Sequence, residues 1–305
     1  MRKPRLSAYV QLVWAVAMLM STTMALGAQS LPGVRNAGGV RLVVAEEDSE
    51  PALHVVLPSD SNESAIKVLF PEHVTARMQG SSEGERLYLF RPGLNGKRSM
   101  WRQAGQAIEY ESDLKESIHL LARATLEDDG ILFHYEFQNR SDVNYQMITA
   151  ITDPRMTSIL HDVRLERTYV HRKDGFELLA LETPARLTMP LNEWQPSRYL
   201  ASYTWPVPEK LVERRADGIT YYNSSRAVDE PLIATISTDH KWVVASFTKA
   251  TGNVWSNPEL TCQHVDPEKP LPPRGRAVVE VKVLIFAGTL DQALQKVRAQ
   301  RAFLH

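Results

Sequence analysis

The dominant pattern along the chain is alternation of apolar and polar residues with a period of two. Over residues 131–138, Ile131, Phe133, Tyr135 and Phe137 fall on one face, and Leu132, His134, Glu136 and Gln138 on the other. Successive strand side chains point to opposite sides, so this is the signature of an antiparallel strand with one face buried. Residues 278–286 repeat it, with Val279, Val281, Val283 and Ile285 set against Glu280 and Lys282. Residues 117–126 repeat it with Ile118, Leu120, Ala122, Ala124 and Leu126. Residues 241–247 are more uniformly apolar, as in a strand covered on both faces.

Three Asp-Gly pairs, Asp129-Gly130, Asp174-Gly175 and Asp217-Gly218, each sit between strand-like runs. Asp-Gly tolerates the positive φ angles of tight hairpin turns, so these pairs predict an antiparallel meander rather than βαβ units. Helix is expected only at the C-terminus. Thr289 is a candidate N-cap with Gln292 completing a capping box, and Leu290, Ala293, Leu294 and Val297 form one apolar stripe. That helix is expected to pack against the edge of the sandwich. Residues 29–40 look like a loose entry segment. Residues 184–210 carry five prolines with Trp194, Tyr199, Tyr203 and Trp205, and look like a long loop. Its rings either line a binding surface or cover an open end of the core.

The N-terminus departs from this pattern. Arg2, Lys3 and Arg5 precede an apolar run from about Tyr9 to Met20, and small residues follow through Ala25-Leu26-Gly27-Ala28. This is the layout of a secretory signal peptide over residues 1–28, too short in its apolar core to span a bilayer comfortably. The expected organisation is therefore a signal peptide followed by a single domain over 29–305, periplasmic or secreted and without stable membrane insertion after cleavage. Losing Arg2, Lys3 and Arg5 lowers the basic count from 35 to 32 against 36 acidic residues, a net charge of about −4. A mixed, mildly acidic surface does not suit nucleic acid. Cys262 is the only cysteine, so an internal disulfide and a multi-thiolate metal cluster are both excluded.

Gly-rich phosphate loops, Gly-x-Ser-x-Gly, His-Glu-x-x-His and Cys-x-x-Cys are all absent. The nine histidines show no ligand spacing, so no metal and no cofactor are expected. The densest polar constellation runs from Asp239 to Asp266. It holds Trp255, Asn257, His264 and Asp266, a mixture of aromatic face and hydrogen-bonding groups that suits a sugar. The alternative is a polar loop packed by its own side chains. His264 and Asp266, two apart on an extended segment, point the same way and are the candidate acid/base pair. Arg155, His161 and Trp205 are the further candidate substrate-binding residues. His134 and Glu136 share a polar strand face, and Glu136 would serve glycoside chemistry only if it met a second carboxylate such as Asp266.

The stretch from Gly130 to Asp142, a strand ending in Asn139-Arg140-Ser141-Asp142 and followed by a second strand over 145–152, resembles the central strands of galactose-mutarotase-like supersandwich proteins. In those, a line of the type Val-x-Tyr-x-Val-x-Asn-x-Ser-Asp leads into a strand facing the sugar cleft. Residues 257–262, His264 and 267–290 are similar to exported bacterial proteins of that build. The resemblance implies an all-β fold, a large antiparallel β-sandwich (supersandwich-like) with a short C-terminal helix. It also implies a saccharide or polysaccharide ligand. Family members include aldose epimerases, lyases, hydrolase domains and non-catalytic sugar binders. The epimerases use a His acid and a Glu base; no motif here assigns either role, and His161 and His264 are the positional candidates. The alternative is a non-catalytic envelope module that binds polysaccharide or a partner protein.

Overall fold

The computed structural model describes residues 32–46, 51–58, 63–89, 100–183, 199–204, 210–214, 220–251 and 253–305. The expected signal peptide, the Asp217-Gly218 turn, and Trp194 and Trp205 lie outside them. Pro32–His305 forms one compact unit.

The alternating runs are strands, at Ile118–Glu127, Gly130–Asn139 and Arg276–Ala287. They lie side by side at the centre of a nine-stranded sheet. Its order is Gly175–Leu178, Thr168–Arg172, Leu232–Ile236, Trp242–Phe247, Arg276–Ala287, Gly130–Asn139, Ile118–Glu127, Ala107–Leu114 and Arg102–Ala104. Its ladders are antiparallel throughout. Further sheets among the described residues have five, four and four strands. The five-stranded sheet runs Gly33–Arg35, Arg41–Glu46, Pro51–Val56, Ile66–Leu69 and Asp153–Met156.

The inward residues of the nine-stranded sheet meet those of the five-stranded sheet in one core, which contains Leu42, Val55, Ile66, Tyr110, Leu120, Phe133, Tyr135 and Val281. Phe70 sits at its centre, with ring centroids 5.1 Å from both Phe133 and Tyr135. The hydroxyls of the fully buried Tyr110 and Tyr135 are satisfied, Tyr110 by the Phe70 carbonyl at 2.5 Å and Tyr135 by Thr152 Oγ1 at 2.7 Å. This is the all-β sandwich that the resemblance implied, built from the antiparallel strands that the alternation predicts.

Four local expectations change. Residues 29–40 are not all loose: Gly33–Arg35 is a strand paired with Arg41–Glu46. The 184–210 stretch is not all loop: Tyr199–Thr204 is a strand, parallel to Thr220–Asn223 and antiparallel to Asn253–Val254. The hairpins at 129–130 and 174–175 form, but their turns sit one residue earlier. Glu127 pairs with Gly130 and Arg172 with Gly175, so each glycine opens the returning strand. The helix Leu290–Gln300 has the expected capping box at Thr289 and Gln292, but it packs on a face of the nine-stranded sheet rather than an edge. Ala293 and Val297 meet Leu232, Ala234, Val243, Ala245, Phe247 and Leu284. The uniformly apolar strand Trp242–Phe247 is the reason, since it needs cover on both sides.

Candidate functional site

The polar constellation of residues 253–266 is organised by short backbone bridges. Trp255 and His264 form an antiparallel bridge, with Trp255 N donating to His264 O at 3.2 Å and His264 N to Trp255 O at 3.1 Å. On the other side, Cys262 bridges Arg155, and Gln263 N donates to Pro154 O at 3.0 Å. The 262–264 segment therefore lies between Trp255 and the strand Asp153–Met156.

Asn257 shapes the intervening loop. Its Oδ1 accepts from Leu260 N at 3.0 Å, its carbonyl accepts from Thr261 N at 2.9 Å, and its Nδ2 donates to Cys262 Sγ at 3.3 Å. Thr261 then takes φ 46°, a left-handed conformation that a β-branched residue adopts at a cost of order 1–3 kcal/mol. Its hydroxyl accepts from Asp162 N at 2.8 Å.

From there the side chains alternate. Gln263 turns toward the nine-stranded sheet. Its Oε1 accepts from Ser246 N and Oγ at 3.1 and 2.7 Å, and its Nε2 donates to Thr235 Oγ1 and Val244 O at 2.9 and 3.1 Å. Cys262, His264 and Asp266 take the opposite side.

On that side His264 stacks flat on Trp255, with ring centroids 3.8 Å apart and planes within 1°. Its Nε2 stands 3.3 Å from Asp153 Oδ1 and its Nδ1 stands 3.5 Å from Asp266 Oδ1. Both are ion-pair contacts without hydrogen-bond alignment, and Asp153 Oδ1 and His264 Nδ1 have no hydrogen-bond partner. Each acid is held on its other oxygen. Arg155 Nε donates to Asp153 Oδ2 at 2.6 Å, and Trp255 Nε1 donates to Asp266 Oδ2 at 3.1 Å.

His264 is 1% exposed. Burial alone disfavours its charge, but its contacts with Cys262 and with the Asp153 and Asp266 carboxylates outweigh that and hold its pKa well above the ordinary range. Burial likewise opposes ionisation of Asp153. His264 and Arg155 outweigh it, and its pKa is lowered. The cluster comes to the surface through Asp266, Arg155, Glu72 and the half-buried Trp255. Arg155 Nη2 reaches Glu72 Oε1 at 3.7 Å.

The structure thus brings His264, Asp266, Trp255, Asn257 and Arg155 into one cluster. Asn257 is 1% exposed and is occupied in shaping the loop. His161 attaches to the same loop through Glu259 O, at 3.1 Å from its Nε2. Trp205 lies outside the described residues, though Thr204 is paired with Asn253 at the start of the site segment. Glu136 pairs with Arg276 at 3.0 Å and His134 with Glu280 at 2.7 Å, both on the outer face of the nine-stranded sheet. Sequence reasoning missed Asp153 and Glu72. It also passed over Cys262, although Cys262-x-His264-x-Asp266 is an alternation of the kind that revealed the strands.

No protein-family model matches the chain, and no curated protein matches it by sequence. Among solved structures it is similar to a galactose mutarotase related enzyme from Lactobacillus acidophilus, at 11% identity and TM-score 0.46, covering 85% of this chain and 98% of that one. It is similar to a putative aldose 1-epimerase from Escherichia coli K12, at 8% identity and TM-score 0.47, covering 84% and 100%. An α-N-acetylgalactosaminidase from Bifidobacterium bifidum is similar over 88% of this chain and 38% of that one, at 8% identity and TM-score 0.49. At these identities the likenesses transfer no residue role to this chain.

Proposed function

We propose that this is an exported protein that binds a saccharide where Trp255, Asp266, Arg155 and Glu72 reach the surface. The observation that carries the reading is the fixed setting of Trp255. One face of its ring is stacked on His264, its N–H is tied to Asp266, and the residue stays partly exposed. A rigid aromatic beside carboxylates and a guanidinium suits the C–H face and hydroxyls of a sugar. Export, to the periplasm or beyond, belongs to this reading and rests on residues 1–28.

Acid/base chemistry on the bound sugar is the enzymatic form of the proposal, with His264 giving or taking the proton and Asp266 as its partner toward the surface. The burial of His264 favours a second reading, a non-catalytic module that binds without chemistry.

Thermal-shift and calorimetric titration against mono- and oligosaccharides test both. A stabilising sugar is expected, with Trp255→Ala weakening it roughly tenfold or more, the loss of one stacking contact. A folded wild-type chain indifferent to the whole panel defeats the proposal. Turnover of the bound sugar that vanishes in His264→Gln selects the enzyme, and binding without turnover selects the module.

A further inference from the structure

Beneath this surface, three side chains from two segments converge. Asp153 comes from the five-stranded sheet, and Cys262 and His264 from the loop laid beside it. One carboxylate oxygen, the thiol sulfur and one ring nitrogen lie within 4.8 Å of one another, and all three residues are buried. We propose that Asp153, Cys262 and His264 form a zinc site.

Four observations carry this. First, the contacts are too close to ignore and misaligned for hydrogen bonds. Asp153 is 2% exposed, and its Oδ1 faces His264 Nε2 with no hydrogen bond. A buried carboxylate oxygen without a hydrogen bond is available to a cation. Second, the spacing fits a metal. In a tetrahedral shell with bonds of about 2.0–2.1 Å, ligand nitrogen and oxygen atoms stand roughly 3.3 Å apart. Asp153 Oδ1 and His264 Nε2 are 3.3 Å apart.

Third, each ligand has a neighbour that can orient it. Arg155 holds Asp153 Oδ2, Asn257 donates to Cys262 Sγ, and His264 Nδ1 faces Asp266, itself fixed by Trp255. A carboxylate behind the second ring nitrogen and an N–H on the thiolate are how proteins orient such ligands. Fourth, the charge suits a dication. A bound dication would displace the protons of the Cys262 thiol and the His264 ring, and Asp153, Cys262, Asp266 and Glu72 would then set four negative groups against the Arg155 guanidinium. Thiolate and imidazole select zinc over calcium or magnesium, which take oxygen shells. The strained Thr261, immediately before Cys262, is consistent with a loop held in a particular shape for its ligands.

Three protein ligands leave one position for a non-protein oxygen. The inference stands apart from saccharide binding, because its test measures the metal alone, but it replaces the acid/base reading of His264, whose Nε2 would then hold the metal.

The chain, produced by export without a metal-affinity tag, is expected to carry about one zinc per molecule. Stripped with chelator and given cobalt(II), it should show a thiolate-to-cobalt charge-transfer band in the near ultraviolet. Cys262 is the only cysteine, so that band in the wild-type protein reports this sulfur and no other. Cys262→Ser should abolish the band, and zinc should raise the melting temperature of the wild type but not of the variant. A folded wild-type chain that holds no zinc and gives no band with cobalt overturns the proposal, as does a band that survives Cys262→Ser. Where the variant fails to fold, the wild-type spectrum alone decides.

Discussion

Gly130 shows how a residue can be picked out by the sequence for the wrong reason. Asp129-Gly130 reads as a turn, yet the turn lies one residue earlier and Gly130 begins a central strand. A Cβ at this position would sit 2.0 Å from the Val283 carbonyl oxygen, and φ is 157°. The strand Arg276–Ala287 approaches too closely for any side chain. Gly130→Ala should therefore destabilise the protein by about 1–3 kcal/mol or more, the scale of a core overpacking, because the opposing atoms are backbone. Urea unfolding measures this, and an unchanged midpoint would refute the close approach. The site residues are legible in a similar, partial way. His264 and Asp266 follow from alternation, but Asp153 has no local signal, because its partner lies in a distant segment. That separation also explains why metal-ligand spacing is invisible in the sequence. The three ligands are gathered by sheet pairing, not by one helix or one loop.

At the level of elements, the C-terminal helix is the clearest case of local chemistry matching structure. Thr289 N donates to Gln292 Oε1 at 2.9 Å, and Gln292 N donates to Thr289 Oγ1 at 3.3 Å. Thr289→Ala should cost about 1 kcal/mol, the usual value of an N-cap, read as faster amide exchange in the first turn. Equal exchange in both proteins would show that packing alone holds that end. Where the helix docks is a different matter. Its stripe of Ala293 and Val297 fits any apolar surface. The doubly apolar strand Trp242–Phe247 selects a sheet face.

Across the whole molecule, acidic side chains pin the helix and the C-terminus to the nine-stranded sheet. Asp129 Oδ2 accepts from Lys296 Nζ and Gln300 Nε2, both at 2.9 Å, and Glu280 Oε2 accepts from His305 N at 2.9 Å. Burial raises the pKa of each acid, but these partners, with Lys282 at Asp129 and His134 at Glu280, outweigh it and the pKa values are lowered. A carboxylate with a depressed native pKa stabilises the fold above its unfolded value. The contribution begins to fade below about pH 4 and is lost as pH drops through the native value. Amide exchange over 290–300 should therefore accelerate in that window before the central strands open. Protection that fades equally in both places would show that the helix is not held by these acids.

The sequence by itself determined which residues face the core and where the helix starts. Period-two alternation and capping act between near neighbours, and their geometry is set by backbone sterics. The tertiary structure alone decided that Asp153 meets Cys262 and His264, that Trp255 lies flat on His264, and that Gly130 touches another strand. Those contacts depend on which strands become neighbours, and that is settled by how the packed sheets together bury the core.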